Sequence, residues 1–231
     1  MDDRTLVWLF DVDGTLLLTE GAGRLAIVAA LAERFGVNDD LSHIPMAGRT
    51  DPLIVADALR HHGIAVDGDG ERVALWQAIA VHMRRLMSPP RGGLLPGAAD
   101  VVARVESEPG WVPALLTGNV REMARIKLGA FGLWDRFAFG AFGDEAPDRN
   151  ALAGVAVERA AERCGVPPSR CVVVGDTEHD IACARAAGAR AVAVATGGRS
   201  RGLLAAHAPD LLLDSLLESE TLFEWAGGLP D

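Results

Sequence analysis

Two aspartates, separated by one residue, follow the first apolar run of the chain. The run at residues 6–10 leads directly into "DVDGT", whose acids are Asp11 and Asp13. Residues two apart in an extended backbone point the same way, so both carboxylates can face one pocket. Carboxylates this close repel each other unless a cation or a shared proton lies between them, and Mg²⁺ is a hard cation that prefers oxygen ligands. Gly14 would allow a sharp turn that brings backbone amides toward a phosphate.

Two further apolar runs end in polar residues. "LLTGN" offers the hydroxyl of Thr117, then Gly118 and the amide of Asn119, and "VVVGDTEHD" offers Asp176 and Asp180. One such residue alone is more often a turn residue or a helix cap. Three polar strand ends in one chain argue for a site, because open α/β sheets bind their ligands beyond the carboxyl ends of the strands.

The elements that must position these residues alternate along the chain. Apolar runs predict short buried strands, and helical patterns separate most of them. The predicted strands cover 6–10, 112–116, 171–174, 191–195 and 211–213, with a weaker one at 137–142, and the predicted core helices cover 120–128, 150–164 and 178–187. This alternation predicts an α/β fold with a parallel sheet and right-handed crossovers.

The alternation breaks once, between Thr19 and Pro89. Only helical patterns occur there, at 23–35, 51–62 and 71–87, and the stretch "SPPRGGLLPG" follows them. We therefore predict a core formed by residues 1–18 and 92–231 and an inserted all-helical cap formed by residues 19–91. A segment inserted beside a strand end that carries acids could act as a lid.

Composition restricts the partners and the compartment. The 231 residues carry 22 basic and 32 acidic side chains, a net charge of −10, which argues against nucleic-acid and anionic-membrane partners. The sequence shows no secretory signal and no membrane span, and three cysteines without zinc spacing favour a reduced, cytoplasmic protein. His61, His62 and His82 have no metal spacing with acids nearby, so we interpret them as surface or core residues.

Taken together, the motifs resemble the phosphatase branch of the haloacid dehalogenase-like hydrolase superfamily. "DVDGT" is similar to its first motif, "LLTGN" to its second and "GDTEHD" to its fourth. The helical insertion matches the first-type cap position of phosphoglycolate phosphatases and β-phosphoglucomutases. The resemblance covers essentially the whole chain, and it implies a Rossmann-like core with helices on both faces of the sheet.

The resemblance also implies a role for each polar strand end. Asp11 would be the nucleophile that forms an aspartyl-phosphate, and Asp13 the general acid and base. Mg²⁺ would bind the Asp11 carboxylate, the Asp13 backbone carbonyl and Asp176, with Asp180 and Thr177 behind these ligands. The implied phosphate-binding residues are Gly14, Thr15, Thr117, Gly118 and Asn119.

The third motif departs from the family pattern, which has a lysine before the helix that precedes the fourth motif. Arg149 stands there instead and would hold charge against the phosphate and the carboxylates. The alternative is Lys127, the only lysine of the sequence, reaching the site from another helix. We favour Arg149.

Substrate specificity is predicted to come from "AGRTDP" in the cap. Arg49 could meet a second anionic group of the substrate, or it could simply pair with an acid of the cap. Thr50 is predicted to cap the helix that follows. The stretch "EGAGR", which ends at Arg24, resembles a hinge or an entry loop.

These features predict a Mg²⁺-dependent phosphomonoester hydrolase, monomeric or homodimeric, that acts on a small phosphorylated metabolite. A phosphomutase of the β-phosphoglucomutase type would share the nucleophile and the acid. A non-catalytic regulatory protein on the same fold is the third possibility, and the intact acids argue against it. The cap has no lysine, which disfavours Schiff-base phosphonate hydrolysis.

Overall fold

The computed structural model describes residues 5–229. Strands and helices alternate through most of this range, as the apolar runs predict. The elements follow in the order β1 (Leu6–Phe10), β2 (Leu17–Leu18), α1 (Ala22–Phe35), α2 (Asp51–His61), α3 (Asp69–Leu86), β3 (Gly93–Leu94), α4 (Ala98–Ser107), β4 (Trp111–Thr117), α5 (Arg121–Ala130), β5 (Gly140–Phe142), α6 (Arg149–Cys164), β6 (Cys171–Gly175), α7 (Glu178–Ala186), β7 (Arg190–Val194), α8 (Arg201–Ala206), β8 (Leu211–Leu213) and α9 (Ser219–Gly227).

A parallel sheet forms the centre of the described chain. Its six strands lie in the order β5-β4-β1-β6-β7-β8, and each neighbouring pair runs in parallel. The first strand therefore lies between β4 and β6, at the point where the strand order changes direction. Ligands of such sheets bind beyond the carboxyl ends of the strands at this switch point.

Strand β1 is buried on both faces. Leu6, Trp8 and Phe10 contribute to an apolar cluster with α4, α5 and α9, whereas Val7 and Leu9 contribute to a second cluster with α6 and α7. Alternate residues of a strand point to opposite faces, so a strand covered on both sides is apolar throughout. Helices therefore lie on both faces of the sheet, as predicted.

The helical insertion follows β1 almost directly. Strands β2 and β3 pair antiparallel at its base, and α1, α2 and α3 lie between them in the chain. The three helices share an apolar core that includes Leu31, Ile79 and Met83, and it also contains Met123 of α5 and Val120 at the N-cap of that helix. The insertion thus has a core of its own and packs against the sheet domain. The division into a core and a cap at residues 19 and 91 stays a prediction.

Some elements differ from the prediction. The strand expected at 137–142 covers only Gly140–Phe142, and a 3-10 turn at Trp134–Arg136 lies before the expected start. Helix α4 was not predicted, although its buried residues Ala98, Val101, Val102 and Val105 have helical spacing. The proline- and glycine-rich stretch before it is typical of a loop and overlaps the start of that pattern.

Two predictions from composition can be compared with the structure. Cys164, Cys171 and Cys183 are free thiols, and burial raises the pKa of Cys171 and Cys183 to about 12. Between residues 5 and 229, every helix is too short or too polar to cross a membrane.

Candidate active site

Three neighbouring strand ends place the polar motifs together. Asp11 follows β1, Thr117 is the last residue of β4, and Asp176 follows β6. Strand β1 is hydrogen-bonded to both β4 and β6, so the three positions lie side by side at the carboxyl edge of the sheet. The fold thus brings together the residues whose types suggested a site.

Three buried carboxylates cluster at this edge. Oxygen atoms of Asp11, Asp176 and Asp180 all lie within 4.8 Å of one another. Arg149, the first residue of α6, places its Nη2 3.2 Å from Asp11 Oδ1 and donates a hydrogen bond to Asp180 Oδ1. One guanidinium faces three carboxylates, so the cluster lacks positive charge. A set of carboxylate oxygens that needs a cation fits a hard divalent ion such as Mg²⁺.

The pKa values of the cluster show the same imbalance. Burial raises the pKa of Asp11 to about 6, although Arg149 opposes the shift. Burial also raises the pKa of Asp176 to about 8, and the charges of Asp180 and Asp11 add to the rise. Burial disfavours the charged form of Arg149, but Asp11 and Asp180 outweigh it and hold the Arg149 pKa well above its ordinary value. A bound divalent cation would favour the ionised form of both raised aspartates.

Both carboxylate oxygens of Asp180 accept hydrogen bonds from protein groups. Thr177 donates from its backbone N–H (2.9 Å) and its hydroxyl (2.7 Å) to Oδ2, in a capping box at the start of α7. Arg149 donates a hydrogen bond to the other oxygen, Asp180 Oδ1. Asp176, in contrast, receives a long hydrogen bond of 3.3 Å from the Thr15 hydroxyl. This geometry suits the predicted place of Asp180 and Thr177 behind the metal ligands.

Asp13 lies in a different environment from Asp11. Its side chain is 40% exposed, against 9% for that of Asp11. Lys127 Nζ donates to Asp13 Oδ2 at 2.6 Å, and Asn119 Nδ2 donates to the same oxygen at 2.7 Å. Asp13 is thus held by two donors outside the carboxylate cluster.

Lys127 reaches the site, so both candidate cations of the sequence analysis are present. It is buried, and although burial disfavours its charge, Asp13 and Asp51 raise its pKa above the ordinary value. The two cations contact different aspartates, Arg149 touching Asp11 and Lys127 touching Asp13. The sequence analysis treated them as alternatives because the direction in which α5 presents Lys127 was unknown.

Asp51 is a site residue that the sequence analysis missed. It begins α2, lines the same cavity, and accepts a hydrogen bond from the Val120 N–H at 2.9 Å. Burial raises its pKa to about 6, and Lys127 opposes the rise. Asp51 directly follows Thr50 in the motif predicted for specificity, and this position could have indicated that it lies at the site.

The second motif forms a tight turn against α2. Thr117 is buried, and its hydroxyl oxygen accepts from the Asn119 N–H at 3.3 Å and from Asn119 Nδ2 at 3.0 Å. The Gly118 carbonyl accepts from the Asp51 N–H at 2.7 Å. A Cβ at Gly118 would lie 2.1 Å from the Arg49 carbonyl oxygen, so the helical insertion approaches this turn as closely as glycine permits.

Gly14 makes the predicted turn, but its own amide is engaged there. The φ angle is 84°, and the N–H donates to the Leu17 carbonyl at 2.9 Å. A Cβ would lie 2.5 Å from Asp176 Oδ2, which explains the glycine. The Thr15 hydroxyl is likewise turned toward Asp176. Phosphate contacts by Gly14 and Thr15 stay predictions, and the turn geometry lends them no support.

Arg49 and Thr50, which were predicted to determine specificity and to cap α2, make other contacts in the structure. Arg49 pairs with Asp57 of α2 at 2.5 Å, which is the alternative that the sequence left open. Thr50 stands at the N-cap position of α2, but its hydroxyl makes no capping hydrogen bond and has no partner within residues 5–229. The proline that follows Asp51 favours the start of the helix without that bond.

A cavity of about 570 Å³ joins these residues to the helical insertion. The core lines it with Asp11, Asp13, Lys127 and Arg149, among others, and the insertion adds Arg24. Its volume suits a small metabolite rather than a polymer. Within residues 5–229, no carboxylate lies within 4.0 Å of Arg24, whose Nε contacts the Met46 sulfur at 3.4 Å.

Comparison with known proteins places the chain in a family. Residues 7–188 match the family model of the haloacid dehalogenase-like hydrolases. The match covers well over half of the chain and includes all three strand ends of the site. The chain therefore belongs to the haloacid dehalogenase-like hydrolase family, and its relatives show that it is a phosphatase enzyme.

Two relatives are phosphoglycolate phosphatases. The one from Xanthomonas campestris pv. campestris is 31% identical over 192 residues, which is 83% of each chain. The one from Cereibacter sphaeroides is 31% identical over 217 residues, 88% of this chain and 96% of the relative. A phosphatase acts on a phosphorylated substrate, and these relatives act on a small one.

Solved structures share the fold. CbbY from Rhodobacter sphaeroides, in complex with phosphate, matches with a TM-score of 0.74 at 24% identity over 93% of this chain and 96% of its own. A hydrolase from Pseudomonas syringae matches with a TM-score of 0.72 at 22% identity over 95% and 98%. At this identity the likeness supports the Rossmann-like architecture alone.

Proposed function

We propose that this protein hydrolyses a small phosphomonoester through an aspartyl-phosphate formed on Asp11, with Mg²⁺ as cofactor. The observation that carries the proposal is the pair of carboxylates in contrasting environments. Asp11 is buried against Arg149 in an acidic cluster, whereas Asp13 is half-exposed beside Lys127. Two carboxylates with different surroundings can divide the roles of nucleophile and proton carrier.

Asp11 is the nucleophile. Its carboxylate attacks the phosphorus atom, the bond to the leaving alkoxide breaks, and water later cleaves the acyl phosphate to release inorganic phosphate. The Asp11 and Asp176 carboxylates and the Asp13 backbone carbonyl would hold Mg²⁺, which offsets the repulsion between a carboxylate and a phosphate dianion. Arg149 adds a fixed positive charge beside Asp11 Oδ1.

Asp13 carries the proton. Lys127 and Asn119 both donate to Oδ2, which fixes the carboxyl group and leaves Oδ1 for the substrate. From Oδ1 a proton passes to the leaving alkoxide, and the same oxygen then removes a proton from the attacking water. The two donors therefore act as positioning groups for a single carboxyl oxygen.

The second motif holds the phosphate. The Thr117 oxygen accepts twice from Asn119, so its own O–H is directed to a phosphate oxygen. The backbone amide of Gly118 contributes a further donor, and that of Asn119 can do so only by leaving the Thr117 hydroxyl, to which it donates at 3.3 Å. Donors fixed in place before the reaction stabilise developing charge without reorganisation.

The substrate carries a second anionic group. Within residues 5–229, Arg24 lines the cavity with no carboxylate within 4.0 Å, although its charge helps to lower the pKa of Asp40, whereas Arg49 is paired with Asp57. The relatives named above act on phosphoglycolate, which bears a carboxylate beside its phosphate, and a variant of CbbY binds xylulose-(1,5)-bisphosphate. We therefore assign the recognition of the second anion to Arg24 rather than to Arg49.

A screen of phosphate esters tests the proposal. We expect Mg²⁺-dependent phosphate release that chelation abolishes, and a preference for esters that carry a second anionic group. Asp11→Asn should lose this activity for every ester, whereas Arg24→Ala should lose only the preference. Full activity after chelation, or in Asp11→Asn, would refute the mechanism, and exchange of a sugar phosphate between isomers without phosphate release would indicate a mutase.

A further inference from the structure

Four polar side chains meet on the helical insertion, away from the aspartate cluster. His62 Nε2 lies 2.8 Å from Asp39 Oδ2, and His43 Nδ1 lies 3.7 Å from the same oxygen. The His61 ring centroid lies 4.1 Å from that of His43 and 5.0 Å from that of His62. Half of the six histidines of the chain are therefore gathered around one carboxylate. We call these four residues the histidine cluster.

The sequence contains no signal for the histidine cluster. His61 and His62 have no metal spacing with nearby acids along the chain, and we interpreted them as surface or core residues. The loop between α1 and α2 folds Asp39 back against the end of α2, where His61 is the last helical residue. Ligand atoms of Asp39, His61 and His62 all lie within 4.8 Å of one another.

We propose that the histidine cluster binds a transition-metal ion such as Zn²⁺, separate from the magnesium site. Imidazole nitrogens with one carboxylate suit Zn²⁺, Co²⁺ or Ni²⁺ and do not suit Mg²⁺, which takes oxygen ligands. Asp39, His61 and His62 are the ligands, and His43 lies beside Asp39 at 3.7 Å. The cluster is half-exposed to exposed, so an ion can enter from solvent.

For His62 and Asp39, the change on binding is small. Metal–nitrogen bonds of about 2.0–2.1 Å in a tetrahedral site separate neighbouring ligand atoms by about 3.3 Å. His62 and Asp39 must therefore move apart by about half an ångström from their 2.8 Å contact, as the ion replaces the proton between them. The Leu41 N–H donates to Asp39 Oδ1 and keeps Oδ2 directed toward the histidines. The negative end of α2 also favours a cation here.

The ion would fasten the α1–α2 loop to the end of α2. The opposite, N-terminal end of α2 is Asp51, which lines the cavity. Eleven helical residues span about 16 Å, so the bound ion lies outside the reaction site and cannot touch the substrate. Its effect is on the stability of the helical insertion.

Zinc titration of the metal-free protein by calorimetry, with excess Mg²⁺ present to fill the aspartate cluster, tests this proposal. We expect wild type to bind one equivalent of Zn²⁺ and its melting temperature to rise. His61→Ala and His62→Ala should each weaken binding by at least about tenfold, since even outer contacts of metal ligands are worth that much. Bound Co²⁺ should show the visible absorption of a tetrahedral site in wild type only.

His82→Ala is the matched control. His82 also lies on a helix of the insertion and contacts a carboxylate, Glu33, at 2.7 Å, but it stands outside the histidine cluster. Zinc affinity should be unchanged in this variant. Absence of stoichiometric zinc binding in wild type, or equal affinity in wild type and both cluster variants, would overturn the proposal. His61 is exposed, so its variant carries the test even if His62→Ala fails to fold.

Discussion

Asp11 and Asp13 are two residues apart, but one is buried and the other is partly exposed. Asp11 lies in a buried cluster with Arg149, while Asp13 is half-exposed and held by Lys127. Helix α6 thus supplies the positive charge beside the proposed nucleophile, and α5 supplies the positive charge beside the proposed proton carrier. We infer that the role of the family's one lysine is divided between two residues here.

Substitution of each cation tests this division. We predict that Arg149→Ala lowers kcat by roughly 10²–10³, because a preorganised charge beside the reacting groups is lost. Lys127→Ala should also lower kcat substantially, since Asp13 loses one of the two donors that fix it. Steady-state kinetics with p-nitrophenyl phosphate and Mg²⁺ provides the measurement.

Folding must be controlled in these variants, because removing one partner of a buried ion pair leaves an uncompensated charge. Arg149→Lys and Lys127→Arg keep the charge and serve as matched variants, with circular dichroism to confirm the fold. Near wild-type kcat in folded Arg149→Ala or Lys127→Ala would assign the cationic role to the other residue alone.

At the scale of elements, the contact between α2 and the β4–α5 turn forms part of the cavity wall. The Asp51 N–H bonds the Gly118 carbonyl, and the Asp51 carboxylate receives the Val120 N–H. The insertion is thus tied to the sheet domain through the same turn that presents Thr117. Substrate affinity should depend on this contact.

We predict that Gly118→Ala raises KM by displacing α2 from the turn. The added Cβ would lie 2.1 Å from the Arg49 carbonyl oxygen, and backbone atoms must shift to admit it. Gly154→Ala is the control, because a Cβ at that site in α6 has no atom within 4 Å apart from the backbone of its own helix. Alanine there should stabilise the helix by about 0.5–1 kcal/mol and leave KM unchanged. Unaltered KM in Gly118→Ala would show that the contact does not govern binding.

Much of this arrangement could be predicted from the sequence, because local patterns carry it. The apolar runs that precede Asp11 and Asp176 end where the strands end, and neighbouring strand ends converge in a parallel sheet. The reach of Lys127 depends on how α5 packs, although its place on the buried face with Met123 and Ala124 was an available signal. The meeting of Asp39 with His62 depends on packing between distant segments, and no local pattern reveals it.

At the scale of the whole molecule, the acidic cluster couples stability to pH and to divalent ions. The pKa values of Asp11 (about 6) and Asp176 (about 8) both lie above the ordinary value of 3.8. The folded protein therefore binds more protons than the unfolded chain, so this contribution is present at low pH and is lost as the pH rises through about 6 and then about 8.

We therefore predict that, in chelator, the melting temperature falls between about pH 4 and about pH 8, and that Mg²⁺ restores more stability at the higher pH. Asp176→Asn cannot ionise and should show a smaller fall in chelator, together with a weaker effect of Mg²⁺. Thermal melts across this range provide the measurement. Equal pH dependence in wild type and Asp176→Asn would contradict the assignment of the coupling to this cluster.

The central claim is that Asp11 carries the phosphoryl group during turnover. The most direct test is to quench wild-type enzyme with acid during hydrolysis of p-nitrophenyl phosphate in Mg²⁺, reduce the acyl phosphate with borohydride, and identify the modified peptide by mass spectrometry. We predict homoserine at position 11, and no such product from Asp11→Asn or from enzyme quenched without substrate. Homoserine at another aspartate, with residue 11 unmodified, would contradict the account.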